Sequence, residues 1–437
     1  MVFVGLPRYA PVAFVTGGMR PLLDWSIMTT YLDHAATTPV RAEAVDALVE
    51  ALEQTGNASS LHGPGRAARR GLEEAREQIA SALGARPSEV VWTAGGTEAD
   101  NLAIKGLFWA RRARDLSRRR ILVSAVEHHA VLDPAFWLAE HAGAQVVLLD
   151  VDAEGRLEVE ALHAELEAHA DEVALVSVMW ANNEVGTLQP IADVVSAAHR
   201  FGVPVHADAV QALGQVPLDF AASGLDAMTV SGHKVGGPHG AGALLARREL
   251  ELTPVLHGGG QERGVRSGTL NVPVARSFAV AAELAATEQP GHAARVGALR
   301  DSLVAAVRQV VPDAVLRGPD VSAVVGEGGR AVPGGPGEAV GSRLPANALF
   351  TFPGCEGDSL LYLLDAAGVA CSTGSACQAG VPQPSHVLLA MGVSETDARG
   401  ALRFSLGRTS TTADVAALES ALPEAVDRAR AAGMATG

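Results

Sequence analysis

Cysteine is scarce in this sequence. Its three cysteines, Cys355, Cys371 and Cys377, include no CxxC pair. That excludes a disulfide framework and a standalone zinc site, and it fits a reducing cytoplasm. Cations are also outnumbered. The formal net charge is −15, which argues against a nucleic-acid binder, because phosphate contacts need clustered positive charge. The run from Arg111 to Arg120 (RRARDLSRRR) is the exception, and it reads as a solvated helix end and loop. No apolar run is long enough to span a membrane. The first 28 residues hold Arg8, Arg20 and three prolines and lack a signal-peptide h-region. Met28 directly precedes the first patterned sequence, so residues 1–28 read as a start-site extension.

Lysine is the scarcest cation. Of 34 basic residues only two, Lys105 and Lys234, are lysine. Lys105 ends a polar–apolar run (ADNLAIK) and reads as helix surface. Lys234 follows the β-type run AMTV and a Ser-Gly-His, and Gly236, Gly237 and Gly240 come after it. A guanidinium stays charged, whereas an amine can lose its proton and become a nucleophile. A lysine nucleophile points to imine chemistry with a carbonyl, for which pyridoxal phosphate is the commonest partner. A surface lysine in a Gly-rich turn is the competing reading of this stretch alone.

A chain of 437 residues, 48% hydrophobic and 19% charged, is globular and long enough for more than one domain. Helical periodicity runs from Arg41 to Gln54, with Val45, Leu48, Val49 and Leu52 on one face, and Thr38-Pro39 suits its N-cap and first turn. A second helix is expected from Arg66 to Leu83. Short β-type runs then alternate with helices: Val90–Thr93, Ile121–Val126, Val146–Leu149, Ala174–Met179, Val203–His206, Ala227–Val230 and Ala243–Ala246. This pattern predicts an α/β fold with a mainly parallel seven-stranded sheet and ligands beyond the strands' carboxyl ends. The alanine-rich run from Val274 to Val311 reads as helix, broken near Gln289-Pro290-Gly291. Residues 320–343 read as a flexible Gly/Pro-rich insertion, and the chain from Leu349 onward as a smaller α+β domain.

Polar residues gather at those strand ends. AGGTEADN, after the first strand, opens a helix whose N–H groups and Thr97 hydroxyl suit a phosphate. His128, after the second, can stack on a ring or shuttle protons. Asn182 and Asn183 follow the fourth strand, and Asp208 and Gln211 the fifth. A carboxylate against a pyridine nitrogen keeps it protonated and lets the ring act as an electron sink, a use for Asp208. Gln211 suits the ring's phenolic oxygen. Ser231, His233 and Lys234 follow the sixth strand. Together these placements point to one cofactor site.

These residues carry a family resemblance. From about Tyr31 to Arg408 the chain resembles the cysteine desulfurases, pyridoxal-phosphate enzymes of the class V aminotransferase group with fold-type I architecture. The matching stretches, in order, are YLDHAATTP, GNASSLHGPGRAAR, GGTEADNLAIKG, EHHAV, ANNEVGTLQPI, HADAVQ, SGHKVGGPHGAGAL, GGGQERGVRSGT, CSTGSAC and RFSLGR. The resemblance implies that Lys234 bonds the cofactor, Asp208 pairs with its ring nitrogen and His128 stacks on the ring. Gln211 and Asn183 would contact its oxygen side. Gly96, Thr97, Ser231 and His233 would hold the phosphate, joined by Thr269 from the second subunit of a homodimer. Arg403, with Asn183, would bind the substrate carboxylate, and Cys377 would be the catalytic nucleophile on a mobile loop.

The implied reaction removes sulfur from L-cysteine. Lys234 moves the α-proton, His128 assists, and the Cys377 thiolate attacks the substrate sulfur, leaving L-alanine and a Cys377 persulfide. An iron–sulfur scaffold or a tRNA-thiolation enzyme would accept the sulfur. No intrinsic metal is expected, although Cys377 could share an iron–sulfur cluster with a scaffold. The stretch after Cys377, QAGVPQPSHVLLAMG, resembles the long-loop subgroup. Cys371 departs from the motif and reads as inert, a regulatory disulfide with Cys377 being the other possibility. The implied division is an N-terminal segment 29–42 joining the small domain, a large cofactor-binding domain 43–285, and a small domain 286–437 containing the 371–384 loop. The rivals are a selenocysteine or cystine lyase, an ordinary aminotransferase, and a non-catalytic member of a sulfur-transfer assembly.

Overall fold

In the computed structural model, residues 29–320, 342–374 and 383–436 are described. After the short β1 (Thr30–Tyr31), seven strands form one sheet: β2 (Val90–Thr93), β3 (Arg120–Ser124), β4 (Gln145–Leu149), β5 (Val173–Ser177), β6 (Val205–Asp208), β7 (Ala227–Ser231) and β8 (Gly242–Ala246). Their order is β2-β8-β7-β6-β5-β3-β4. β8 alone runs against the direction of the other six strands. The central strands β5, β6 and β7 are buried at every residue, as helices on both faces require. All seven expected strands are present, shifted by a residue or two. The expected runs to Val126 and Met179 overshoot their ladders, because the Glu127 carboxylate takes the Met179 N–H at 2.5 Å just past the strand ends.

The first helices are α1 (Ala42–Leu52), α2 (Gly63–Ala82), α3 (Gly96–Arg114) and α4 (His129–Ala142). Three expectations about this region are corrected. Thr38-Pro39 does not start α1, whose N-cap is Arg41. Thr38 instead places its hydroxyl 2.8 Å from His34 Nδ1 and donates its N–H to His233 O, so tertiary contacts override the local signal. The apolar stripe of α1 does not face the core. Ala44 and Ala51 are buried, while Val45 is 42% and Val49 50% exposed. The second helix begins three residues early, because the His62 side chain caps it by accepting from Gly65 N.

Helices α5 (Val159–His169), α6 (Ile191–His199) and the one-turn α7 (Phe220–Ser223) complete the large layer before α8 (Val272–Val310). The expected break at Pro290 is absent, and α8 is continuous through it. A proline in a helix interior costs about 3 kcal/mol. Burial at both ends offsets that cost: Phe278, Ala279 and Ala282 sit in the core under the sheet, and Val296, Leu303 and Val307 in a second core.

That second core also holds Leu32, and it lies against an antiparallel sheet of β12 (Ala401–Ser405), β10 (Asn347–Thr351) and β9 (Val315–Arg317). β1 pairs in parallel with β11 (Val369–Ala370). Most of the expected 320–343 insertion lies outside the described residues. Its last residue does not behave as a flexible segment: Arg343 is buried and donates to Pro319 O at 2.7 Å. No helix among the described residues is long and apolar enough to cross a membrane.

Candidate active site

Five parallel strands, β2, β3, β5, β6 and β7, release their polar residues at the same sheet edge. There they line a cavity of about 260 Å³ that includes Gly96, Thr97, His128, Asn183, Asp208, Gln211, Ser231, His233 and Lys234. Thus nine of the sequence-predicted residues meet in one space. Arg403 reaches the same region from β12, close enough to Lys234 to affect its charge.

The side of the cavity at the start of α3 is built from backbone. No side chain caps the start of α3, so its first N–H groups remain available for an anion. Its N-cap, Gly95, has φ 150°, and a Cβ on Gly242 would lie 2.5 Å from the Gly95 carbonyl carbon. Only glycine allows these two segments to approach so closely. Ser231 and His233 close the other side of this turn.

Lys234 Nζ donates to Ala35 O at 2.5 Å and Ala36 O at 2.9 Å, carbonyls of the segment before α1. Gln211 Nε2 donates to the same Ala35 oxygen at 2.9 Å. Burial, then the Arg403 charge, lowers the Lys234 pKa to about 8, against the pull of Asp208 and Asp33. Such an amine has a substantial neutral fraction near neutral pH, as a nucleophile needs. Asp208 accepts from Val210 N at 2.8 Å, and burial raises its pKa to about 6.

His128 caps α4, accepting the Ala130 N–H on Nδ1 at 3.1 Å. Burial first, then Lys234, lowers its pKa to about 4, so the ring is neutral with its proton on Nε2. Its exposed surface opens onto the cavity. The two adjacent asparagines separate in role. Asn182 is fully buried and structural, donating to Val126 O and accepting from Glu184 N and Val185 N, whereas Asn183 lines the cavity.

Arg403 is 4% exposed. Its Nη2 donates to Asp33 at 2.7 Å and its Nη1 to Asn183 O at 3.0 Å, while Nε is buried without a hydrogen-bond partner among the described residues. Thr269 is exposed and lines a different pocket, with Thr93, Gly240 and Arg266. Cys377 lies outside the described residues. Cys371 is 8% exposed, and burial pushes its thiol up to about 12, an inert state. The sequence reading missed Asp33, the Arg403 partner, and two buried carboxyls at this site, Asp100 and Glu127. TEADN and EHHAV contain the latter two, but only burial distinguishes them from surface acids.

Comparison with known proteins agrees with this geometry. The aminotransferase class-V model matches residues 30–316 and 337–418. This chain belongs to that family. Within it, an IscS-like cysteine desulfurase of Mycobacterium tuberculosis is 56% identical over 93% of this chain and 98% of its own length. A cysteine desulfurase IscS of Dictyoglomus turgidum is 40% identical over 88% of this chain and 91% of its own. Among solved structures, a NifS-like protein superposes with a TM-score of 0.80 at 33% identity, covering 92% of this chain and all (100%) of the other. DndA from Streptomyces lividans gives 0.68 at 34% identity, covering 86% of this chain and 99% of its own.

Proposed function

We infer that this chain is a cysteine desulfurase, using pyridoxal 5'-phosphate to convert L-cysteine into L-alanine and a persulfide on Cys377. The observation that carries this reading is the convergence of Lys234, Asp208 and His128 in one cavity, on a chain whose 56%-identical relative is named for that activity. The donor set fits the cofactor. An uncapped helix start with Thr97, Ser231 and His233 suits a phosphate, the amine of Lys234 suits an aldehyde, and the buried Asp208 suits a ring nitrogen. Bound there, the cofactor would supply an electron sink for the substrate's α-carbon.

The chain's own residues do the rest. His128 would stack on the cofactor's ring, Gln211 and Asn183 would contact its oxygen side, and Gly96 would belong to the phosphate cradle. Arg403 and Asn183 bind the substrate carboxylate and thereby orient its α-carbon. Lys234 moves the proton at that carbon, and His128 serves as a second proton carrier. The Cys377 thiolate attacks the substrate sulfur. A S–S bond forms, the Cβ–S bond breaks, and its electron pair returns to carbon and takes up a proton to give alanine.

The persulfide would then pass to an iron–sulfur scaffold or a tRNA-thiolation enzyme in a reducing cytoplasm. A homodimer accompanies this reading. The exposed apolar residues Val40, Val45, Val49, Leu52 and Leu61 are the kind of surface a second copy covers, and Thr269 of that copy would join the phosphate site. The large unit 43–285 would hold the cofactor and the unit 286–437 the Cys377 loop.

Two lysines make the test sharp. Borohydride reduction of the purified yellow protein, followed by peptide mass spectrometry, is expected to leave the cofactor mass on Lys234. Label on Lys105, or none, would overturn the assignment.

A further inference from the structure

Three carboxyl groups are sealed into the site: Asp208 is 6%, Asp100 1% and Glu127 0% exposed. Asp100 and Asp208 line the same cavity wall. The Lys234 amine acts on Asp208, whereas Asp100 and Glu127 feel the Asp208 charge instead, and the Arg403 guanidinium is already paired with Asp33. Three anions facing one cation in a buried space is not a stable arrangement, so protons must remain on some of them.

Hydrogen bonding decides where the protons stay. Asp208 accepts the Val210 N–H and faces Lys234, so it ionises most readily of the three. Among the described residues Asp100 Oδ1 and Glu127 Oε2 are buried without hydrogen-bond partners, and burial with the neighbouring Asp208 charge disfavours the anion on either, although Thr229 bonds Asp100 and the Met179 N–H bonds Glu127 Oε1. Behind Asp100 lies a buried chain of groups. Thr229 Oγ1 is 3.0 Å from His206 Nε2, and His206 Nδ1 is 2.9 Å from Ser177 Oγ. Asp100 Oδ1 is 3.5 Å from His206 Nε2. Burial lowers the His206 pKa to about 3, so the imidazole supplies no charge to offset an anion.

We propose that Asp100 is a positioning residue held as a neutral carboxylic acid, anchored through Thr229 to His206 and Ser177, that leaves Asp208 as the anion facing the cofactor's ring nitrogen. The proposal rests on the cofactor reading above. In it, the Asp100 hydroxyl donates to Thr229 Oγ1, Thr229 donates to His206 Nε2, and the His206 Nδ1–H donates to Ser177. Every member of the chain is uncharged. An ionised Asp100 would reverse these directions and compete with Asp208 for the role of counter-ion to the ring nitrogen.

The test has two readouts. Infrared spectra of the apoprotein, which need no cofactor, report protonated carboxyls by their acid carbonyl stretch. Asp100→Asn is expected to remove one such band and Glu127→Gln another. Loss from the carboxylate region in Asp100→Asn would overturn the proposal. In the holoenzyme, Asp100→Asn should leave the pH midpoint of the cofactor's visible absorbance unchanged, because the amide mimics a neutral acid. Asp100→Ala should move it by about one pH unit or more. A shifted midpoint in Asp100→Asn, or an unshifted one in Asp100→Ala, would also overturn it. A parent protein that binds no cofactor would defeat the functional reading alone, with the infrared result still deciding the charge of Asp100.

Discussion

Arg403 Nη2 lies 2.7 Å from Asp33 Oδ1, so the guanidinium assigned to the substrate already has a carboxylate partner from the N-terminal segment. An incoming carboxylate has to share that fork or use Nε, which is buried without a partner among the described residues. Arg403→Lys keeps the charge but loses the planar fork. We expect kcat/KM for L-cysteine to fall about 10–100-fold, mostly through KM, from the loss of about 1.5–3 kcal/mol of charge-assisted hydrogen bonding. The cofactor spectrum should be unchanged. A parent-like KM would remove Arg403 from substrate binding.

Lys234 gives a pH prediction. Its pKa is lowered to about 8, so protonation is favoured below that value and neutral amine accumulates as pH rises through it. About a tenth of the amine is neutral at pH 7. The rate at which apoprotein captures pyridoxal phosphate should therefore rise about tenfold per pH unit below about pH 7, more slowly through pH 8, and level off above it. Stopped-flow absorbance checks this, and a rate still climbing at pH 10 would mean an unperturbed lysine.

Much of this site is legible in sequence because each strand delivers its polar residue within a few positions of its end. Periodicity locates Val90–Thr93 and Ala227–Ser231, and Thr97, Asp208 and Lys234 follow from there. What sequence misses depends on tertiary partners. Nothing local shows that Thr38 bonds His34 rather than capping α1, or that Ala44 and Ala51, not Val45 and Val49, form the buried face of α1. Pro290 reads as a breaker because the two cores that hold α8 on either side of it are not visible in a local window. Asp100 and Glu127 resemble ordinary helix-start acids until their burial is known.

Arg76 and Glu262 form a buried bidentate pair, 2.8 and 2.7 Å, that joins α2 to the loop carrying Thr269. Glu262 also accepts the Trp92 N–H at 3.0 Å. Glu262→Ala leaves the buried Arg76 with only the half-exposed Glu73, 3.1 Å from its Nε, as a charge partner, which should cost up to about 3–5 kcal/mol in urea unfolding. A loss below about 1 kcal/mol, typical of exposed pairs, would show that this pair does not organise the loop.

His34 should make the protein acid-sensitive. It is 6% exposed, and burial, with His292 and Arg408 adding, lowers its pKa from 6.5 to about 4 despite Asp414. Between those values the unfolded chain takes up a proton that the folded chain refuses, so stability falls as pH drops from 6.5 toward 4. The full effect is roughly 3 kcal/mol. His34→Gln should flatten the pH dependence of the urea midpoint over this range by one proton. An unchanged slope would mean that His34 titrates normally in the fold.

The most direct test of the central claim adds L-cysteine to the purified holoenzyme under reductant and measures alanine and released sulfide together, in the parent and in Cys377→Ser. The account predicts a yellow protein that yields alanine and sulfide in equal amounts, and a variant that keeps the colour but forms neither. Sulfide release that survives in Cys377→Ser would contradict the persulfide route. A yellow parent inert to cysteine but active on selenocysteine would move the assignment to a selenocysteine lyase.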